Sequence, residues 1–226
     1  MKKILSFIMA QAERLDWKIY GPTLFPAIAF VLAIPCTFLL PDTYGVENSP
    51  IENLQAAIAL AAAALCLAVR REKALFRLLS MVWAILFLRE INCGRVFFPN
   101  DVAGGGNSFK SWHEISQFGR IVPVAYAMFI AWTAVYAIKH SATLARYVRY
   151  ARIPAWDSIF MLVGIICGTL GETLYKNEMF EECFETLFYA AFASITWLYA
   201  RNANFQAKPP AIPGTPRPKR RTGARA

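Results

Sequence analysis

Six long apolar stretches constrain the fold of this chain more than any other feature of its sequence. Once partly polar ends are included, most of them reach the roughly 20 residues with which an α-helix crosses a ~30 Å hydrocarbon core. Hydrophobic residues make up 57% of the chain, whereas roughly 45–50% is typical of soluble domains. We therefore predict an all-α, polytopic membrane bundle of about six transmembrane helices. The stretches cover residues 22–40, 51–69, 74–91, 121–138, 159–170 and 184–200.

The two ends of the chain differ from this transmembrane part, which we assign to residues 21–202. The apolar run near the N-terminus is about six residues long, shorter than the 7–15 residues that a signal peptide requires. We instead predict a short interfacial amphipathic helix over residues 1–20. Residues 203–226 are rich in Pro, Arg and Lys, which predicts a disordered cytoplasmic tail that either binds anionic lipids or only fixes the topology. The N-terminal helix would turn toward lipid the side chains of Ile4, Ile8, Leu15, Trp17 and Ile19.

Basic residues lie almost entirely on one side of the predicted membrane. With six crossings, all but five of the 24 Lys and Arg residues fall in the two termini and in the second and fourth connecting segments. Short cytoplasmic segments are enriched in Lys and Arg, so we place both termini in the cytoplasm and expect a bacterial plasma (inner) membrane. Most Asp and Glu residues fall on the outer side. The net charge of +9 then reports topology, and no nucleic-acid partner is expected.

The last predicted helix carries a stripe of carboxylates. Glu178, Glu181, Glu182 and Glu185 follow one another at i, i+3, i+4 and i+7, which places them on one helix face, and Tyr189 extends that face. Like charges at this spacing repel, so nearby cations or bound protons must neutralise some of these carboxylates. Glu185 lies deepest, up to ~11 Å beyond Glu178 at 1.5 Å per residue. Ionisable groups at such depth usually face the interior of a bundle and mark a site.

Other polar residues gather on the same outer side. Glu90 ends the third helix, where the helix dipole disfavours a carboxylate, and Arg89 lies beside it. Glu52 has a structural explanation as part of a capping box that Ser49 begins, whereas Gln55 gains nothing from capping. We predict one outward-facing cleft between helices two, three and six, covered by the third outer loop. Its predicted catalytic residues are Glu90, Glu182, Glu185 and His113, and its predicted substrate-binding residues are Glu52, Gln55, Arg89, Arg95, Lys110, Arg120 and Tyr189.

The residue types of this cleft limit the cofactors that it would bind. If a metal ion binds, its ligands would be Glu90, Glu182 and Glu185, which suit a hard cation such as Mg, Ca or Mn. A haem site and a zinc-type Cys/His site are not expected, since no such pattern of Cys and His occurs. The sequence leaves open whether Cys93 and Cys183, both near the outer surface, form a disulfide.

Small residues in the fifth helix predict close helix packing. Gly164 and Gly168 are four residues apart, the spacing at which helices approach closely in membranes. We expect them to pack against another helix of this chain, and a dimer interface is the alternative.

Three functions are compatible with these features. The first is a membrane-embedded enzyme, a hydrolase or transferase, that acts on a lipid-linked or amphipathic substrate with the carboxylates as acid and base. The second is a non-catalytic membrane component or binding scaffold, in which the charged cluster is structural. The third is a cation- or proton-coupled transporter of a small solute. Transport requires polar groups part-way across the bilayer, and the middle of each predicted helix is mostly Ala, Leu, Phe and Ile.

Overall fold

Each of the six apolar stretches forms a helix. A computed structural model describes residues 13–41, 49–97, 110, 112–115, 119, 121–175, 177–202 and 205, with the side chains of Val96, Trp112 and His113 excepted. The chain is mostly helical, and the helices are α1 Leu24–Leu39, α2 Pro50–Ala68, α3 Lys73–Glu90, α4 Trp112–Ile115, α5 Ile121–Lys139, α6 Ser141–Tyr150, α7 Ala155–Leu170 and α8 Glu178–Arg201.

Three of these helices are long and apolar enough to cross a membrane. They are α2, α5, and α7 together with the π-helical turn Gly171–Tyr175 that extends it. The other three long helices differ from them in a physical property. Helix α1 has only 16 residues, α3 carries charged residues at both ends, and α8 begins with several glutamates. Membrane crossing by α1, α3 and α8 remains a prediction.

Helix α8 is the centre of the bundle, since α7, α1 and α2 all pack against it and α3 packs against α2. On one side of α8, the buried core includes Ala59 and Trp83, which meet Tyr189. On the other side, Ala33 of α1 meets Leu187. Helix α5 contacts the bundle mainly through α3, and almost all of its apolar surface is exposed.

The helices alternate in direction, so their ends form two polar regions. Tertiary hydrogen bonds join the end of α3 and the start of α2 to the first turns of α8. We call this region the acidic end. At the other end of the bundle, the start of α1 and the start of α7 meet α8 further along its length. This region, with α6 and the turn between α2 and α3, is the basic end.

The described part of the N-terminal segment corrects the prediction of a helix over residues 1–20. Residues 13–20 contain turns, extended chain and the strand β1 Leu15–Asp16, which pairs in parallel with the strand β2 Ile153–Pro154. The strand pair forms here in place of a helix because Arg14 fixes this segment by donating to the carbonyl oxygen of Ala151. Trp17 and Ile19 are exposed, and residues 1–12 lie outside the described residues.

The glycines of α7 allow it to lie directly on α8. A Cβ atom added to Gly164 would come within 2.6 Å of the backbone nitrogen of Phe188. Gly168 faces Glu185 and the backbone of the same helix turn. Gly164 and Gly168 therefore pack against another helix of the same chain, which was the first of the two alternatives.

Candidate functional site

At the acidic end, an arginine and a tyrosine hold two carboxylates between α3 and α8. The Nη2 atom of Arg89 donates to both carboxylate oxygens of Glu185, at 2.7 and 2.9 Å. The hydroxyl of Tyr189 donates to Oε1 of Glu90 at 2.6 Å. Arg89 Nε lies 3.8 Å from the same oxygen of Glu90. Glu90 and Tyr189 are buried, whereas Arg89 is exposed at the surface of the bundle.

A second set of contacts joins α2 to α8 one helical turn away. Nε2 of Gln55 donates to Oε2 of Glu182 at 2.8 Å and lies 3.1 Å from the hydroxyl oxygen of Thr186. Gln55 is fully buried, and its Oε1 atom has no hydrogen-bond partner within the described residues. A buried acceptor without a donor is costly, so this position suits a donor group supplied by a ligand or a water molecule.

Carboxylates outnumber the cation that contacts them in this region. Glu182 interacts electrostatically with Glu52, Glu90 and Glu185. Arg89 contacts Glu185 and Glu90, whereas the group bound to Glu182 is the neutral amide of Gln55. The arrangement therefore concentrates carboxylates beside Glu182. We call these side chains the carboxylate cluster: Glu52, Gln55, Arg89, Glu90, Glu182, Glu185 and Tyr189.

An apolar groove reaches the carboxylate cluster from the side of α1. It has a volume of about 220 Å³ and runs along α1 from Phe25 to Leu40, between α2 and α8. Ile51 and Leu54 of α2 form part of its wall. Its polar contact with the cluster is Thr186, which lines the groove and bonds to Gln55. A ligand in this groove would lie next to the Gln55–Glu182 pair.

A second pocket lies on the opposite side of the cluster, between the end of α3 and the start of α5. It has a volume of about 250 Å³, and its polar lining includes Arg89, Asn92, Arg95 and Tyr126. The backbone turns sharply here, with positive φ angles from Asn92 to Gly94. Two guanidinium groups beside an amide suit an anionic group, since arginine binds carboxylate and phosphate in a planar, two-bond geometry.

The structure brings most of the predicted site residues together. The seven residues of the carboxylate cluster lie near one another at the acidic end, and the backbone N–H of Glu52 donates to Ser49 Oγ, which is the predicted capping contact. Arg95 lines the second pocket and donates to the backbone oxygen of Lys110. The side chain of His113 and the whole of Arg120 lie outside the described residues.

The metal and disulfide expectations have different outcomes. Within the described residues, no group of three or more His, Cys, Asp and Glu side chains is arranged to hold a metal ion. A hard cation bound by Glu90, Glu182 and Glu185 therefore stays a prediction. Cys93 and Cys183 are both free thiols. Cys183 faces the apolar groove, whereas Cys93 lines the second pocket, where burial raises the pKa of its thiol.

Several polar residues of the structure were missed by sequence reasoning. Thr186 joins the groove to the cluster, and Asn92 and Tyr126 line the second pocket, but neutral side chains in apolar helices carry no distinctive pattern. At the basic end, the fully buried carboxylate of Asp157 accepts hydrogen bonds from the hydroxyls of Thr23 and Ser194. Its partners lie far from it in the sequence, so no local spacing could reveal them.

Asp16 is a second buried carboxylate at the basic end. Burial by itself raises the pKa of Asp16. Hydrogen bonds from the backbone N–H of Lys18 and the hydroxyl of Tyr20, together with Arg152, lower this pKa by more than burial raises it. The net pKa of Asp16 is below its usual value, so this group stays ionised and holds β1 in place.

Comparison with known proteins adds no relative: no protein-family model, no curated protein and no solved structure matches this chain.

Proposed function

We propose that this chain is an integral membrane enzyme, a hydrolase or transferase, that acts on a lipid-linked or amphipathic substrate at the carboxylate cluster. In this proposal all six long helices cross the inner membrane of a bacterium, both termini are cytoplasmic, and the acidic end faces outward. The alternating helix directions and the separation of charge between the two ends support that placement.

The observation that carries the proposal is the contact between an apolar groove and a hydrogen-bonded carboxylate. An acyl or prenyl chain in the groove would lie along α1, with its polar end at Thr186 and Gln55. Glu182, held by Gln55, would then be next to the reacting group. The second pocket offers Arg89 and Arg95 to an anionic part of the substrate.

The chemistry assigned to the cluster is general base catalysis. Glu182 would take a proton from an attacking water or hydroxyl while the attacking oxygen bonds to the acyl or phosphoryl centre. The oxygen of the leaving group would depart with a proton returned from the same carboxyl group. With water the reaction is hydrolysis, and with a second hydroxyl compound it is group transfer. Arg89 binds both carboxylate oxygens of Glu185, whereas Glu182 is bound by the neutral amide of Gln55, so Glu182 is the better candidate for the base.

The test compares two glutamates of α8 with purified protein in detergent or lipid discs. The probes are a fluorescent phosphatidylglycerol and a polyprenyl diphosphate. Glu182→Gln is expected to reduce turnover by about 10²–10⁴-fold, the usual contribution of a general base. Glu178→Gln, an exposed glutamate on the same helix, is the matched control and should retain full turnover. Wild-type protein that turns over neither probe, or a Glu182→Gln variant that is as active as wild type, would contradict the proposal.

A non-catalytic scaffold is the second candidate function, and one observation favours it. Arg89 is bound to Glu185, and Tyr189 is bound to Glu90, so these contacts join α3 to α8 without a ligand. In this alternative, Glu182→Gln would change the thermal stability but not the lipids bound, and the wild-type protein would show no turnover.

A further inference from the structure

A crevice between α2 and α8 extends to the basic end of the bundle, away from the carboxylate cluster. It has a volume of about 390 Å³, and its α2 wall is formed largely by alanines and by Leu65. On α8 it is lined by Ala193 and by the half-exposed ring of Trp197. Alanine side chains are small, so the two helices leave an apolar channel that opens toward the surroundings.

A basic pocket lies one helical turn beyond this crevice. Its volume is about 440 Å³, and its charged lining consists of Arg70, Arg71 and Arg201. We call it the arginine pocket. It forms where α2 ends at Ala68 and α8 ends at Arg201, which brings Arg70 and Arg71 to the same pocket as Arg201. Among the described residues, no carboxylate lies within ion-pair distance of these three arginines.

Two contacts hold the guanidinium groups of Arg71 and Arg201 near the end of α8. Nη2 of Arg71 donates to the carbonyl oxygen of Ala200 in the last turn of α8. The guanidinium carbon of Arg201 lies 5.6 Å from the ring centre of Trp197. This second contact is a cation–π interaction, and it places a charge of the arginine pocket directly against the wall of the crevice.

The crevice and the arginine pocket lie on the same faces of both helices. On α2, Ala61 and Leu65 line the crevice. Ala68, the next residue on the same helix face, lines the arginine pocket. On α8, Trp197 is followed in the same way by Arg201. Helix α2 is long enough to cross a membrane, so its last turn lies at the depth of the lipid headgroups.

We infer that this surface binds one anionic glycerophospholipid from the leaflet at the basic end. The arginine pocket holds the phosphate, because guanidinium groups bind phosphate oxygens through paired hydrogen bonds. An acyl chain of the same lipid lies in the crevice against Leu65 and Trp197. A zwitterionic lipid fits less well, since its added positive charge would meet three arginines. This inference does not rest on the function proposed for the acidic end.

The experiment uses the full-length protein in vesicles of phosphatidylcholine with a minor amount of phosphatidylglycerol, followed by native mass spectrometry of the lipids retained. Wild-type protein is expected to retain phosphatidylglycerol in preference to phosphatidylcholine. In the double variant Arg70→Gln/Arg201→Gln, this preference should fall by about tenfold or more, since each arginine near a membrane surface contributes substantially to binding anionic lipid. The matched control is Arg77→Gln/Arg149→Gln, which removes two exposed arginines from the same end of the molecule and should keep the preference.

A second variant tests the acyl-chain half of the site. Ala61→Trp fills the crevice and leaves all three arginines intact, so retention of phosphatidylglycerol should fall as it does in the double variant. Glycerol 1-phosphate, which has the headgroup chemistry without acyl chains, should not displace the lipid. Equal losses in both double variants would show an unlocalised charge effect and overturn the inference. Full retention in Ala61→Trp, or displacement by glycerol 1-phosphate, would overturn it as well.

Discussion

The two ends of the bundle use polar residues in different ways. At the basic end, several side chains bind backbone groups of distant segments: Arg14 donates to Ala151, Arg71 to Ala200, and Tyr199 to the carbonyl oxygen of Arg152. In the carboxylate cluster at the acidic end, Gln55 and Arg89 donate to the side chains of Glu182 and Glu185. Backbone contacts fix the path of the chain, whereas the contacts of the cluster hold several carboxylates close to one another.

The buried carboxylates sharpen this contrast. Asp157 at the basic end is fully buried and accepts hydrogen bonds from two hydroxyl groups, so it is the acceptor that these buried hydroxyls require. Glu182 at the acidic end lies among other carboxylates, so its charge is opposed by its neighbours. We conclude that the basic end is arranged for stability and that the acidic end retains charge repulsion, as functional sites often do.

Replacing each of these two carboxylates should have opposite effects on stability, and this is the largest difference that we expect. Asp157→Ala leaves the buried hydroxyls of Thr23 and Ser194 without an acceptor, which should lower the free energy of unfolding by about 2–4 kcal/mol. Glu182→Gln keeps an acceptor for Gln55 and removes a repelled charge, so its thermal midpoint should equal or exceed that of wild type. Thermal unfolding in detergent, followed by tryptophan fluorescence, measures both. A Glu182→Gln variant that is as unstable as Asp157→Ala would remove the distinction between the two ends.

The ion pairs of the two ends should differ by a smaller amount. Arg89→Gln leaves Glu185 and the buried Glu90 without a cation, and we expect a loss of about 1–2 kcal/mol. Arg146→Gln at the basic end breaks a single, partly exposed pair with Glu72, for which the expected loss is below about 1 kcal/mol.

The double variant Arg89→Gln/Glu185→Gln provides the control for this comparison. Removing both charges should restore part of the stability that Arg89→Gln loses, because the uncompensated carboxylate of Glu185 is then absent. No recovery in the same thermal unfolding measurement would show that Arg89 acts through packing and not through its charge.

The smallest expected effect is the pH dependence of the strand pair at the basic end. The pKa of Asp16 is lowered in the folded protein, so its ionised form stabilises the fold at neutral pH. That contribution is complete above the unfolded-state pKa of about 3.9 and is lost as the pH falls through the lower, folded-state pKa. The difference in thermal midpoint between wild type and Asp16→Asn should therefore shrink below about pH 4. A difference that stays constant as the pH is lowered well below about 4 would show that the Asp16 charge does not stabilise the fold.

Much of the fold and of the carboxylate cluster follows from the sequence, because the spacing of apolar and charged residues predicts the helices and the faces that carry charge. The glutamates of α8 repeat at helical spacing, so the face that they share with Tyr189 is fixed as soon as the helix forms. The partner of Arg89 is different. The sequence places Glu90 directly beside Arg89, yet Arg89 lies 2.7 Å from Glu185 and 3.8 Å from Glu90. Consecutive residues on a helix point in different directions, so the stronger partner comes from another helix.

The features that the sequence could not supply depend on tertiary contacts. Residues 15–16 have apolar and charged neighbours that fit an amphipathic helix, but pairing with Ile153 and Pro154 makes them a strand. The apolar groove likewise results from how α1, α2 and α8 are placed, which no spacing within one helix encodes.

The most direct test of the account is the side of the membrane on which each end lies. In a chain whose five cysteines have been replaced, Glu178→Cys marks the acidic end and Arg149→Cys marks the basic end; both positions are exposed. With a membrane-impermeant maleimide applied to bacterial spheroplasts, Glu178→Cys should be labelled at once, and Arg149→Cys only after the membrane is permeabilised. Labelling of Arg149→Cys in sealed spheroplasts, with Glu178→Cys protected, would contradict an outward-facing carboxylate cluster.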